Sequence, residues 1–554
     1  MTSTNSDTEW ALIPDLQESP DSLPNIITTG RYMRDITEEA IGALKKANGD
    51  DPKVFQRGNS LVRLRDVKGL SAEALNVASL KGMLDRCADF VKLSKEGDEI
   101  PARPSGDVIA DILSLPDQGF PVLRGFYSAP VFLPNGTLLS QNGYDTDSCL
   151  YLSLNGLTGT TGGMPLGEAK ILLLDDLLGD FPFADLGSEA HVLALILQVF
   201  ARLMIDGPTP LFLIDAPARG TGKGLLIDIV SVVGLGKRAD VMVLPNDENE
   251  LEKRITATLV EGHQLILMDN VTSLRSATLS AALTTTDWQG RWLGKSQMVQ
   301  APNSAAWIAT GNNVAMSDEM VRRTVSIRLD AVAERPESRT GFKHSRLLEW
   351  AFANRLQLVS ACISIVAAWV DAGMPIHKPK NTLGRFESWV GVMGGILEVA
   401  GVDGFLGNRE VLYAVVDAET TEWTSLCDEW WKVFQETPIT GKDLLRIARE
   451  ANLLLHIWAG RSEIAGQQRF GHALANKRDR VFGKFRIRHA GNASGSGSHQ
   501  YLLENSQRGG ADKTPETTET KSIEPGKGSQ THLVLPGLSP EPPRGDWKPR
   551  ETKL

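Results

Sequence analysis

"LFLIDAPARGTGKGLL", residues 211–226, decides how this chain is read. An apolar run, Leu211–Ile214, enters a turn containing Gly220 and Gly222, and a helix is predicted from Gly224. Strand, glycine-rich turn and helix are what a phosphate-binding loop needs. Backbone N–H groups turn inward around phosphate oxygens, and the helix N-terminus adds its positive dipole end. Lys223 would contact the β- and γ-phosphates of a nucleotide. The candidate nucleotide-binding residues are Pro217, Ala218, Arg219, Gly220, Thr221, Gly222, Lys223 and Gly224. The usual pattern is G-x-x-x-x-G-K followed by Ser or Thr, and two letters depart from it. Pro217 replaces the first glycine and lacks an N–H. Gly224 stands where a hydroxyl would touch Mg²⁺.

Working outward, "QLILMDNV" (264–271) is an apolar strand ending in a carboxylate. Asp269 is placed to hold the water shell of Mg²⁺ and is the one metal candidate. Asn270 follows where many ATPases carry a water-polarising Glu, and an amide is no base. Glu248, Glu250 and Glu252 are unranked alternatives for that role. "WIATGNNVAMSDEMVRRTVSIRLD" (307–330) is a third strand ending at Asn312, whose amide can orient water near a γ-phosphate. Arg322 and Arg323 follow before another strand, and one of them could act as an arginine finger in a neighbouring subunit. Between these motifs, "TTTDWQGRWLGKSQMVQAPN" (284–303) holds Trp288, Arg291, Trp292 and Lys295. Cation plus aromatic is the chemistry that grips a single strand. The alternative is that the two tryptophans are core residues.

Alternation of apolar strands with helical segments predicts a parallel α/β sheet around the loop. At 554 residues the chain predicts about three to four domains. The expected segments are a loose tail (1–24), an α+β domain (25–160), the nucleotide-binding core (170–335), a helical region (336–436), a small basic domain (437–504) and a disordered tail (505–554). A Gly/Thr-rich stretch, 156–167, marks the first boundary. The four cysteines form no C-x-x-C pair, so neither a disulfide framework nor a zinc site is predicted, and a cytoplasmic location is expected. No secretory leader is read at the N-terminus, and the apolar stretch 191–205 is read as a buried helix, not a membrane span.

The net charge of −10 argues against a surface coated in nucleic-acid-binding charge. The terminal domain inverts this locally. From Arg469 to His489 the cations include Lys477, Arg478, Arg480, Lys484, Arg486 and Arg488, against the single acid Asp479. A helix is read over 440–454, entered at Thr440, and 466–504 is read as a helix followed by a hairpin with a Gly/Ser tip. Helix, helix, wing is the order of a winged helix, whose charges suit duplex phosphates. Asp145 and Asp147 in "GYDTDSC" are read as turn residues and not as metal ligands for primer synthesis.

"APARGTGKGLL", "LILMDN", "RWLGKS" and "ATGNN" with the following "RR" and "IRLD" together resemble the phage- and mobile-element-encoded primase-helicase-like ATPases. These are superfamily 3-like AAA+ proteins, akin to poxvirus and satellite-phage primase-helicases. The resemblance is specific over about 185–335. It implies an AAA+-type P-loop core, a homo-oligomeric ring such as a hexamer, ATP hydrolysis with Mg²⁺, and translocation on DNA. It also implies roles: Lys223 on phosphate, Asp269 on Mg²⁺, Asn312 as sensor, Arg322 or Arg323 as finger, and Lys295 on DNA, where the residues themselves add Arg291. The expectation is a multidomain α/β DNA motor with a winged-helix-like C-terminal domain. Two rivals stand beside it: a non-hydrolysing, nucleotide-gated assembly factor, and a small-molecule kinase suggested by G-T-G-K-G.

Overall fold

Residues 211–216 form a strand whose six successive side chains are all buried, as in a strand covered on both faces. In the computed structural model this strand, β1 (Leu211–Ala216), lies in a five-stranded sheet with β2 (Val241–Met242), β3 (Leu265–Leu274), β4 (Ala306–Met316) and β5 (Thr324–Arg328). The model describes residues 23–66, 69–245, 247–291, 298–333, 335–378, 383–460, 462–492 and 498–505. All four strand pairings are parallel, and the order is β2-β3-β4-β1-β5. The chain is thus a mixed α/β protein built on a parallel sheet.

Alternation along β1 sorts side chains onto two cores. Phe212 and Ile214 join Leu265, Leu267, Ile308, Val325 and Ile327 on one face. Leu211 and Leu213 join Ile266, Met268, Trp307 and Ala309 on the other. The first face is covered by the helices Leu186–Ala201, Lys223–Leu235, Arg355–Asp371 and Glu387–Val399. The helical region after residue 336 therefore supplies one wall of the sheet's own core. The stretch 186–204 is apolar and long enough to cross a membrane, yet 78% of it is buried inside the protein. It is a core helix.

That helix carries a buried polar contact. His191 is fully buried; its Nδ1 lies 2.7 Å from the Ser326 carbonyl and its Nε2 accepts the Leu406 N–H at 3.0 Å. Nδ1 therefore holds the proton, and the ring is neutral. Burial pushes its pKa down from 6.5 to about 4. The unfolded chain takes up this proton first as pH falls, so stability is lost between pH 6.5 and about 4. The loss expected is about 3 kcal/mol. Melting temperatures measured across that range should fall, and should fall less steeply in His191→Gln.

Residues 23–160 form three small three-stranded sheets, one short hairpin and the helices Met33–Asn48, Val77–Cys87 and Gly106–Ser114. Their attachment to the core is specific. Arg57 donates to the Val260 and Leu259 carbonyls, capping the C-terminus of the helix Glu248–Glu261. Gln264 donates to the Phe126 carbonyl. Gly262, at φ +77°, lies so close to this contact that a Cβ would stand 2.7 Å from the Phe126 ring. The glycine-rich stretch 156–167 is pinned as well: Met164 N–H donates to Ser364 Oγ at 3.0 Å. Asp145 accepts the Ser148 N–H at 2.9 Å, as a turn residue does. Among the described residues no group of three His, Cys, Asp or Glu could hold a metal ion.

A second compact unit begins at Trp423, earlier than residue 437. The reason is packing. Trp423, Leu426, Cys427 and Trp430, on the last turns of the helix Arg409–Phe434, are fully buried in the C-terminal core. Helices Gly441–Glu450 and Glu463–Asn476 follow, the first entered at Thr440 through a capping box with Asp443. The strands Ile439–Thr440, His499–Asn505, Phe485–Asn492 and Val481–Phe482 make one antiparallel sheet in that order. The hairpin tip, 493–497, the N-terminal residues 1–22 and the tail from 506 lie outside the described residues, so the disorder expected of the two tails does too.

Candidate functional site

The strand order explains why three distant motifs meet. β4 is inserted between β1 and β3, so the ends of the strands carrying the loop, Asn312 and Asp269 are neighbours at one edge. Ligands of open parallel sheets bind outside this carboxyl edge. In the loop, Gly220 (φ +77°) and Gly222 (φ +96°) adopt left-handed conformations that side chains resist. At Gly220 a Cβ would also stand 2.9 Å from Glu337 Oε2. Lys223 is the first residue of the helix Lys223–Leu235, and its Nζ donates to Asn312 Oδ1 at 2.7 Å. A weaker contact reaches the Ala218 carbonyl at 3.4 Å. Burial lowers the Lys223 pKa; Asp215 and Asp269 oppose the shift and Arg328 adds to it. Pro217, Arg219, Gly220 and Gly224 face solvent, whereas Thr221 is buried and its Oγ1 has no hydrogen-bond partner among the described residues.

Asp269 is exposed and accepts a hydrogen bond from Thr310 Oγ1; that oxygen also accepts the Asn270 N–H at 2.9 Å. Asn270 sits at φ +55° in a bulge of β3. Asparagine tolerates that conformation better than glutamate does, so the backbone here suits the amide. Of the alternative carboxylates, Glu248 caps the helix Ala277–Ala282 by accepting from Ser276 and Thr278, and Glu250 pairs with Arg254. The carboxylates whose charge is felt at Lys223 are Asp215 and Asp269.

Asp215 and Arg328 were not singled out by sequence. They are register partners on β1 and β5 and form an ion pair. Arg328 also donates to Asn313 Oδ1 at 3.0 Å, and Asp215 accepts the Val314 N–H at 3.4 Å. Burial raises the Asp215 pKa against the pull of Arg328. Together the pair braces the turn that follows Asn312. Beside the loop opens a second feature the sequence hid, a pocket of about 170 Å³. Phe181, Thr221, Phe342 and His344 are among its walls. His344 stacks on Trp350 with centroids 4.1 Å apart, and its Nε2 is buried without a partner among the described residues.

Arg322 and Arg323 lie elsewhere. The Leu211 N–H donates to the Arg323 carbonyl at 2.9 Å, so both arginines stand at the start of β1, the edge opposite Lys223. At about 3.3 Å per residue the strand alone separates the two edges by roughly 16 Å. Arg322 is exposed and makes no hydrogen bond or ion pair among the described residues. Arg323 pairs with Glu319 at 3.0 Å. Arg291 is exposed at the end of an antiparallel strand pair, Asp287–Arg291 with Met298–Pro302, whose alternate residues Trp288, Gly290 and Ala301 are buried. Trp288 belongs to the core: it is 7% exposed and donates to Thr256 Oγ1 at 2.9 Å. Trp292 and Lys295 lie outside the described residues.

Several cations of the terminal unit are engaged locally. Arg488 is paired with Asp479 at 2.9 Å and with Glu504 at 2.8 Å. Lys477, Arg480 and Lys484 lie over the rings of Trp423, Phe482 and Phe485. Arg478 is more than half exposed, 3.5 Å from Asp479, and Arg486 is half-buried.

No family model and no curated protein sequence matches the chain. Solved structures that overlap it include the A-form apo NrS-1 C-terminal region, at 12% identity and a TM-score of 0.32, over 80% of this chain and 96% of that one. The active helicase Cch of SCCmec type IV overlaps at 12% and 0.32, over 81% and 91%. The JCV helicase overlaps at 13% and 0.19, over 45% and 69%. These neighbours include helicases. At such low overlap the likeness assigns neither fold nor activity to this chain.

Proposed function

We propose that the chain is an ATP-dependent motor acting on DNA, a replicative helicase of a phage or integrated mobile element that works as a cytoplasmic ring of identical subunits. One observation carries the nucleotide reading: a glycine-rich cradle, Lys223, Asn312 and Asp269 converge at the carboxyl edge of one parallel sheet. The residues fit ATP and Mg²⁺. Lys223 is a partly desolvated cation with a displaceable amide partner, and Asp269 is an exposed carboxylate at the neighbouring strand end. The pocket walled by Phe181, Phe342 and His344 would take the base, with Thr221 and His344 offering unspent polar atoms. Bound Mg²⁺ would neutralise developing phosphate charge. Lys223 would stabilise the same charge, Asp269 would hold the metal, and Asn312 would orient water. Arg322, facing away from its own loop, supports an AAA+-type assembly in which each finger serves a neighbour. The helix–helix–hairpin order of the terminal unit supports a winged helix on duplex DNA.

Hydrolysis measured with and without single-stranded DNA tests this proposal. DNA-stimulated turnover supports it. Binding of ATP without turnover under any DNA condition supports the nucleotide-gated assembly factor, which Gly224 and Asn270 favour. Phosphate transfer to a nucleoside monophosphate would reveal a kinase.

Gly224 offers a sharper check. Apart from its chain neighbours and its own helix backbone, no atom of the described residues lies within 4 Å of the position a Cβ would take there, so a hydroxyl side chain fits. Gly224→Ser is expected to raise Mg²⁺-dependent turnover about tenfold, the worth of about 1.4 kcal/mol. It should also lower the Mg²⁺ concentration giving half the maximal rate. An unchanged metal titration would mean that residue 224 does not face the metal.

A further inference from the structure

Resting on the reading of the terminal unit as a duplex-binding module, we infer that this unit reads base sequence, through Gln468, His472 and Asn476. The helix Glu463–Asn476 has one buried face, Gly466, Phe470 and Leu474, each four residues apart. The opposite face repeats at the same interval: Gln468, His472 and Asn476 are all exposed and make no side-chain hydrogen bond among the described residues. Packing does not use these polar groups, and two of the three are amides.

The chemistry of the face selects its occupant. No Asp or Glu occurs from Ile464 to Arg478, while Arg469 flanks the stripe and Arg478 lies just past its end, so the face complements a polyanion. A helix of about 10–12 Å diameter enters the B-form major groove, about 12 Å wide, and is excluded from the deep, narrow groove of A-form RNA. Asn and Gln pair bidentately with adenine N6 and N7, and an imidazole N–H can donate to guanine N7 or O6. Gln468 and Asn476 stand about 12 Å apart along the helix, a span of three to four base pairs at about 3.4 Å each. The site is therefore a short duplex element with adenines toward both ends. The helix is followed in the chain by the short strand Val481–Phe482 and the antiparallel hairpin Phe485–Asn492 with His499–Asn505, the order of a recognition helix and its wing.

The test is selection of duplexes from a random-sequence pool by the full chain, then competition between selected and scrambled duplexes at fixed salt. Enrichment of one short element is expected. Gln468→Ala and Asn476→Ala should each cut the selected-to-scrambled preference about tenfold while leaving scrambled affinity unchanged. Arg478→Ala should weaken both duplexes alike and lower the salt dependence by about one charge. No enrichment, or a preference untouched by the two amide variants, overturns base reading. If Arg478→Ala still weakens duplex binding, the DNA-binding reading survives that failure. If neither Arg478→Ala nor Arg486→Ala changes duplex binding, both fall. Equal competition by duplex RNA of the selected sequence also overturns the inference.

Discussion

Replacing Arg322 by alanine is expected to reduce ATP turnover about 1,000-fold while leaving nucleotide affinity unchanged. Arg322 stands at the edge of the sheet opposite Lys223 and is exposed there without a partner among the described residues. A side chain so placed cannot stabilise charge in its own site; in the proposed ring it would serve a neighbour's. Subunit mixing separates the two cases. Arg322→Ala subunits retain an intact loop, and Lys223→Ala subunits retain an intact finger. If the finger acts in trans, mixing two inactive preparations restores part of the turnover. Failure to complement, with assembly preserved, would remove Arg322 from the reaction. Arg323→Ala is the control. Arg323 is held by Glu319 at 3.0 Å and by the Glu319 carbonyl at 3.0 Å, so its loss is expected to lower melting temperature.

The contrast between these two adjacent arginines was not legible in the sequence, where they are one dipeptide. Four of the sheet's five strands were, because residues covered on both faces must be apolar throughout; β2, two residues that are not buried, carries no such run. Their order was not: nothing in the apolar runs says that β4 inserts between β1 and β3, and that insertion is what brings Asn312 to Lys223. One signal went unused. Asp215 interrupts the apolar run of β1 and Arg328 interrupts that of β5. Charged residues inside buried strands need partners, and two of opposite sign on neighbouring strands point to each other. The pocket beside the loop had no such signal, since Phe181, Thr221 and His344 come from three separate segments. The start of the terminal unit at Trp423 had no signal either, since Trp423 and Trp430 lie on the helix Arg409–Phe434 while their side chains are buried in the C-terminal core.

Lys223→Ala should abolish detectable turnover and weaken nucleotide binding at least about 100-fold, the scale of charge-assisted hydrogen bonds to phosphate. The resting geometry says how to tell this from misfolding. Lys223 is a desolvated cation whose pKa burial has lowered. Between that lowered pKa and its ordinary value the unfolded chain binds the extra proton, so the ammonium opposes folding until pH rises past this window. Removing it leaves the free protein at least as stable as before. Asn312 loses a partner but is only partly buried, so water can replace it. The expected signature is therefore an unchanged or raised melting temperature without nucleotide, and no further rise when ATP and Mg²⁺ are added. A cation that must stay charged to hold phosphate also makes affinity fall as pH rises toward the lowered Lys223 pKa. Asn312→Ala separates the two functions of the contact: it frees Lys223 to bind and should preserve the nucleotide-induced melting shift while turnover drops. If Lys223→Ala still shows that shift in full, the loop does not hold the nucleotide, and the motor reading fails at its first step.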